Sequence, residues 1–301
     1  MYLQHFGLRR LPFETTANGT LWVDLPTHRE ATNAVLFGLR SGEGFVKVVG
    51  EVGTGKTALC RNLLRHLDDD VLPLHLPNPA HRPLDLLRSV SDELGIPAAS
   101  GAGLFELQKY IREVLVDVAR EGRRTCVLVD EAQTMPRPTL EQLRLLSNLE
   151  NDHGRLLQVV LFAQPELDES LAHHDLRQLQ QRIAFSARLT PLDREDCRLY
   201  IRRRLIQCGA RARAIFTPNA LDRIQRRSGG IPRLINVLSH KSLLAAFADG
   251  DFLVDRAHVD RAARDTDGLG RWRRLLLPVR SSSRAGAGRW RRPFAGGVRH
   301  R

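Results

Sequence analysis

The stretch FVKVVGEVGTGKTAL, residues 45–59, decides the fold. Its first part, Phe45 to Val49, is an apolar and β-branched run that predicts a buried parallel strand. The residues after it fit the pattern G-x-x-x-x-G-K-S/T, with Gly50, Gly55, Lys56 and Thr57 in the fixed positions and a further glycine at 53. Glycines at such a turn let successive backbone N–H groups face inward and form a nest for the oxygens of a polyphosphate. Lys56 is then placed to reach the outer phosphates and Thr57 to give its hydroxyl to Mg2+. A helix starting near Lys56 aims the positive end of its dipole at the anion. The spacing of Leu59, Leu63, Leu64 and Leu67 supports a helix over Ala58 to Leu67. The expected nucleotide-binding residues are therefore Gly50, Glu51, Val52, Gly53, Thr54, Gly55, Lys56, Thr57 and Ala58.

Working outward, further apolar runs predict strands at VLPLHL (71–76), at 125–129 and at LLQVVLFA (156–163). IAFSARL (183–189) alternates more and reads as an edge or final strand. Helical periodicity marks His28 to Arg40, Pro83 to Leu94, Leu104 to Arg120 and Pro138 to Asn151. Continuous apolar strands separated by helices indicate an α/β fold, a parallel sheet covered on both faces. From Asp193 onward no strand signal survives, and four helices are expected, with Asp193 and Thr217 as N-caps and glycines at 209, 229, 230 and 250 as stops. The expected organisation is an α/β core over 1–190, including a Phe/Pro-rich lead-in (HFGLRRLPF), a small all-helical lid over 191–268, and a basic, disordered tail over 269–301.

With 301 residues, 42% of them hydrophobic, the chain has ample material for two cores. Its four cysteines form no C-x-x-C pair, which argues against a zinc site or disulfide framework and for a reducing compartment. The eleven histidines contain no H-E-x-x-H and read as surface residues, with no metal centre among them. No signal-peptide core and no run of about eighteen apolar residues is present, so a cytoplasmic protein is expected. Of the formal charge of +12, residues 271–301 supply +10 through ten arginines with no lysine and no acid, leaving the first 270 residues near neutrality. Nucleic-acid binding by the body is thus not indicated. The tail, with Trp272 and Trp290 among its arginines, is suited to an anionic membrane face or a DNA backbone, or is an unstructured appendage.

Hydrolysis needs more than a phosphate nest, and CVLVDEAQ supplies acids at the end of a strand. Asp130 is expected to hold Mg2+ and Glu131 to orient the attacking water or accept its proton. In FAQPEL, Gln164 ends a strand expected beside that of Asp130, where its amide can position the water or contact the γ-phosphate. LRQLQQRIAF offers Arg177 and Arg182, and Arg182, immediately before the last strand, is the better candidate for a finger reaching a neighbouring subunit's γ-phosphate. In SGGIPRLINVL, Pro232 starts a helix and Arg233 lies in its first turn, where a cation opposes the dipole unless it reaches a phosphate.

In this order the motifs YLQHFGLRRLPF, GEVGTGKTALCRNLL, VLVDEAQ, QPEL, LRQLQQRI and GGIPRLIN resemble an AAA+ ATPase of the ExeA/GspA-like secretion and pilus-biogenesis group, over residues 1–265. The resemblance implies a three-layer αβα core with a helical lid, ATP with Mg2+, and a homo-oligomer such as a hexameric ring. It places the family's roles on Lys56 and Thr57, on Asp130 and Glu131, approximately on Gln164, and on Arg233 as the lid arginine; Arg182 as finger is the loosest match. Where the group usually reads GQPEL, this chain has Ala163. Longer members continue into a membrane helix and a periplasmic, peptidoglycan-binding domain absent from these residues, so the expectation is a short cytoplasmic member associated with MSHA-type pilus biogenesis, peripheral at most at the inner membrane. Two other readings stand beside it: a DNA-transposition helper ATPase acting with a transposase, and an ATP-dependent scaffold with negligible turnover.

Overall fold

The structure, a computed structural model, describes residues 2–14, 21–96, 101–152, 154–210 and 214–266. The 269–301 segment lies outside them. The helices in chain order are α1 (Tyr2–His5), α2 (Pro26–Arg40), α3 (Lys56–Leu63), α4 (Pro83–Glu93), α5 (Leu104–Arg120), α6 (Arg137–Leu146), α7 (Glu166–Leu171), α8 (Arg177–Arg182), α9 (Arg194–Gln207), α10 (Pro218–Ser228), α11 (Pro232–Asp249) and α12 (Arg256–Arg264). The strands are β1 (Phe45–Gly50), β2 (Val71–Leu76), β3 (Arg124–Val129), a short hairpin of β4 (Glu150–Asn151) and β5 (Gly154–Arg155), β6 (Leu157–Ala163) and β7 (Ile183–Leu189).

Five strands form one sheet in the order β2-β3-β6-β1-β7, all neighbours parallel. The central strands are apolar because both of their faces are covered. β6 is buried at every position. One face, with Phe45, Val127, Val129, Val159 and Leu161, packs under α4, α5 and α6 through Leu86, Ile111 and Leu140. The opposite face, with Val46, Val48, Leu128, Val160 and Phe162, packs under α2 and α3 through Val35, Leu39, Leu59 and Leu63. This is the three-layer α/β architecture. β7 pairs only with β1, and its residues alternate between half-buried and exposed, as an edge strand's should. The one charged residue inside β1, Lys47, is compensated by the carboxylate of Asp168 on α7.

Two helices stop earlier than the apolar spacing predicts. α6 ends at Leu146 and not near Asn151, since the Ser147 hydroxyl folds back onto the Arg144 carbonyl (2.8 Å) and the chain turns into the β4/β5 hairpin. α3 ends at Leu63, after which His66 N–H bonds to the Leu63 carbonyl (2.8 Å) in a tighter turn.

The third apolar cluster belongs to α9 to α12, and it corrects the expected place of the lead-in. Tyr2, Phe6, Leu8 and Phe13 do not accompany the α/β core; they pack among Ile201, Leu205, Leu238 and Leu243 of the helical unit. Backbone and side-chain bonds fasten them there: Arg9 N–H to Cys208 O (2.7 Å), Arg204 Nε to Pro12 O (2.6 Å) and Tyr2 Oη with His240 Nδ1 (3.0 Å). The physical reason is that both sheet faces already carry helices, whereas α9 and α11 leave an apolar face that four helices alone do not close. Within this unit Asp193 accepts from Asp196 N–H and Thr217 from Ala220 N–H, and Gly229 and Gly250 end α10 and α11 in the left-handed conformation.

Candidate functional site

The glycine-rich loop leaves the carboxyl end of β1, where β6 lies on one side and β7 on the other. Such a crevice is where open parallel sheets hold their ligands. Gly53 (φ 82°) and Gly55 (φ 104°) take left-handed conformations closed to other residues at low cost, and a Cβ at Gly50 would stand 2.6 Å from Thr54 Oγ1. The cradle thus exists only because these positions lack side chains, which fits a polyphosphate approaching backbone amides closely.

A loop that turns its amides inward must turn its carbonyls outward, and those of Gly50, Glu51, Gly53 and Thr54 each have a donor. His28 Nε2 meets Thr54 O at 3.1 Å, and Arg233 N–H from the first turn of α11 meets Gly53 O at 3.1 Å. Lys56 Nζ donates to Gly50 O (2.8 Å) and Glu51 O (3.2 Å), and Thr54 Oγ1 also donates to Glu51 O (2.8 Å). Lys56 is 5% exposed; burial pulls its pKa down from the ordinary lysine value, and the negative charges of Glu131 and Asp130 oppose that shift. The loop is therefore shaped from three sides: its own lysine, α2 and α11.

His28 corrects the reading of the histidines as surface residues, as does His258 in the helical unit; both are buried. Since His28 Nε2 faces a carbonyl, that nitrogen carries the proton, leaving Nδ1 a lone pair with no partner. Burial lowers its pKa, so the ring is held neutral beneath the loop. The Trp22 ring meets it edge-on at 5.2 Å.

Asp130 and Glu131 follow β3 directly. Asp130 is 3% exposed, with its N–H on Leu76 O (3.0 Å) and its Oδ1 accepting from Glu131 N–H (2.9 Å). Its carboxylate and the Thr57 hydroxyl are hard oxygen donors of the kind Mg2+ takes. Glu131 has φ 52°, the sole non-glycine residue at positive φ among those described. A conformation of that kind costs about 1–3 kcal/mol and turns the side chain out of the strand's alternation. The Glu131 carboxylate receives two amides on one oxygen: Gln133 Nε2 at 2.7 Å and Gln164 Nε2 at 3.1 Å, both on Oε2. The Gln133 Oε1 accepts in turn from Gln164 N–H at 3.0 Å.

The residues singled out from the sequence thus divide in two. Lys56 and the backbone of Arg233 bond to loop carbonyls at the tip of β1, and Glu131 and Gln164 meet in a second cluster at the neighbouring tips of β3 and β6, whose negative charge acts on Lys56. The side chains of Arg177, Arg182 and Arg233 make no hydrogen bond or ion pair among the described residues. Arg182 is half-buried at the end of α8, and Arg233 is exposed on the rim of the loop with its Cβ against Gly53. Sequence reasoning missed His28 and Gln133. Gln133 was signalled by its place in the acidic motif; His28, in the first turn of α2, carried no spacing signal.

Residues 39–171 match the protein family described as AAA domain. General secretion pathway protein A of Aeromonas hydrophila is 41% identical over 300 residues, covering 98% of this chain and 55% of that protein. The chain therefore spans about half the length of this curated relative. Among solved structures, the Aeropyrum pernix ORC2 protein in its ADPNP-ADP complexes aligns with a TM-score of 0.63 at 18% identity, over 85% of this chain and 71% of that one. CDC6P from Pyrobaculum aerophilum aligns with a TM-score of 0.66 at 15% identity, over 81% and 68%. At those identities the likeness is one of fold.

Proposed function

The chain belongs to the ExeA/GspA-like group of AAA+ ATPases, and from that premise we propose that it binds ATP with Mg2+, hydrolyses it, and uses the cycle to drive or regulate assembly of a type II secretion system or an MSHA-type pilus. The observation that carries the reading is the convergence of a phosphate nest, a buried lysine, two strand-tip acids and a glutamine amide at adjacent tips of one sheet, with α11 seated on the nest. The name of the Aeromonas relative favours secretion over transposition.

In this reading the inward amides and Lys56 bind and neutralise the β- and γ-phosphates. Thr57 and Asp130 would hold Mg2+, which supplies charge neutralisation on the phosphate oxygens when bound. Glu131 orients the attacking water and receives its proton, and Gln164 fixes that water or the γ-phosphate. Arg233 reports the phosphate to the helical unit. Arg182, whose side chain has no partner among the described residues, reaches the site of a second copy in this reading, so the working form is an oligomer. Among the described residues no helix is long and apolar enough to cross a membrane, and we place the chain at the cytoplasmic face of the inner membrane. Deleting 271–301 and measuring liposome and DNA binding at two salt concentrations tests whether that segment contributes.

The decisive measurement is phosphate release from Mg-ATP. The parent protein should turn over, Glu131→Gln should keep nucleotide binding while losing about 10²- to 10⁴-fold in kcat, and Lys56→Ala should lose the nucleotide-induced rise in melting temperature. A parent that binds Mg-ATP yet releases no phosphate, alone or with secretion components, would reduce the protein to a nucleotide-dependent scaffold.

A further inference from the structure

We propose that Gln133 is the positioning residue for the Glu131 carboxylate and the link through which Gln164 governs it, an inference that rests on the hydrolytic reading of the site. Gln133 sits in the single tight turn Ala132–Thr134, whose first carbonyl, that of Glu131, takes Thr134 N–H and Thr134 Oγ1, each at 3.0 Å. That turn curls the side chain of Gln133 back over the carboxylate two residues before it.

The orientation of the amide is self-determined. Nε2 faces an acceptor, Glu131 Oε2, at 2.7 Å, and Oε1 faces a donor, Gln164 N–H, at 3.0 Å. Rotating the amide by half a turn would set oxygen against oxygen and N–H against N–H. A single side chain therefore ties the acid after β3 to the first residue after β6.

The consequence lies in which oxygen remains. Both amides bind Oε2, and Glu131 Oε1 takes no hydrogen bond among the described residues. The clamp leaves one oxygen of the pair to face water. Without it, a glutamate on a left-handed residue at a strand tip is freed over several rotamers and has to be ordered again to regain the productive one. A general base misplaced by an ångström costs about 100-fold in rate. The Gln164 backbone is held by the same amide, so any displacement of the β6 tip on contact with the γ-phosphate is passed to the carboxylate by one rigid group.

The test uses Gln133→Met, which keeps the volume and removes both bonds, and Gln133→Glu, which keeps the shape and cannot donate at neutral pH. Steady-state hydrolysis of Mg-ATP, nucleotide affinity by a fluorescent analogue and melting temperature are measured for each. We expect kcat to fall about 10- to 100-fold, with affinity within about twofold of the parent and folding retained. In a Glu131→Gln background the Gln133→Met change should cause no further loss. Parent-like kcat in both variants, or a loss of affinity matching the loss of kcat, overturns the proposal while leaving the site reading intact. A parent without turnover, by contrast, removes the site reading and the proposal together.

Discussion

Gly53 occupies a position that the phosphate-loop pattern leaves unspecified, yet the structure leaves no room for a side chain there. An added Cβ would stand 2.9 Å from Arg233 Cβ and 3.1 Å from Ile231 Cγ2, on a backbone with φ 82°. The left-handed conformation alone costs an L-residue about 1–2 kcal/mol. Carbon atoms prefer about 3.5–4.0 Å, and Arg233 Cβ is fixed to the first turn of α11, so relief requires the helix to withdraw by roughly half an ångström. That withdrawal stretches the Arg233 N–H to Gly53 O bond of 3.1 Å, forfeiting about 0.5–1.5 kcal/mol. A loop that escapes this combined cost of about 1.5–3.5 kcal/mol by leaving its cradle shape has to take it on again when nucleotide binds, which predicts that Gly53→Ala weakens Mg-ATP binding about 10- to 300-fold. Calorimetric titration of the parent and the variant measures it. Gly122→Ala is the control, because Gly122 has φ 76° with nothing within 4 Å of an added Cβ; it should lower stability and leave affinity unchanged. Gly53→Ala binding within twofold of the parent would refute the claim that α11 is seated on the loop.

Gly230→Ala should be more damaging to the fold than Gly229→Ala. The Cβ at 230 would meet the Leu192 carbonyl oxygen at 2.1 Å, whereas that at 229 meets nothing within 4 Å, and thermal melts of the two variants compare them directly. A pH effect arises from His28, whose pKa is lowered by burial. The unfolded chain binds the proton first as pH falls, so the stability of the neutral ring is fully present above about 6.5 and drains away below it, by at most about 1.4 kcal/mol per pH unit. Urea midpoints at pH 7.5 and 5.5 should show the parent losing ground to His28→Gln at the lower pH; His240, also lowered by burial, is common to both. Identical pH slopes in the two proteins would show that the ring takes up its proton alike in the folded and unfolded chain and is not held neutral by burial.

What could be read from the residues alone were features whose causes are local. The phosphate-loop pattern spans the eight residues Gly50 to Thr57, an N-cap bond such as Thr217 Oγ1 with Ala220 N–H reaches three residues on, and a buried parallel strand such as Leu157–Ala163 announces itself by continuous apolarity. The acid pair was legible because it comes directly after such a strand. The rest depended on what the topology brings together. Strand order leaves no mark in a run of valines and leucines, so the adjacency of β3 and β6 that joins Gln133 to Gln164 became visible only in space. His28 sits in an ordinary amphipathic helix, and nothing within a few residues of it indicates that Thr54 O will lie 3.1 Å away. The lead-in HFGLRRLPF has aromatics without periodicity, so its composition demanded burial but named no surface.

The lead-in has a mechanical consequence for the helical unit. One covalent strap runs from β7 through Leu192, whose N–H is bonded to Gly230 O at 2.8 Å, into α9. The other runs ahead of α2, where Arg203 Nη1 holds Asp24 O (3.0 Å) and Gln207 Nε2 holds Trp22 O (2.8 Å), just before the helix that carries His28 to the phosphate loop. A body pinned at two points keeps one rotational degree of freedom, about the line that joins the pins. A displacement of the helical unit away from the loop would therefore turn about that line, and it would first have to break the third contact, Arg233 N–H to Gly53 O at 3.1 Å.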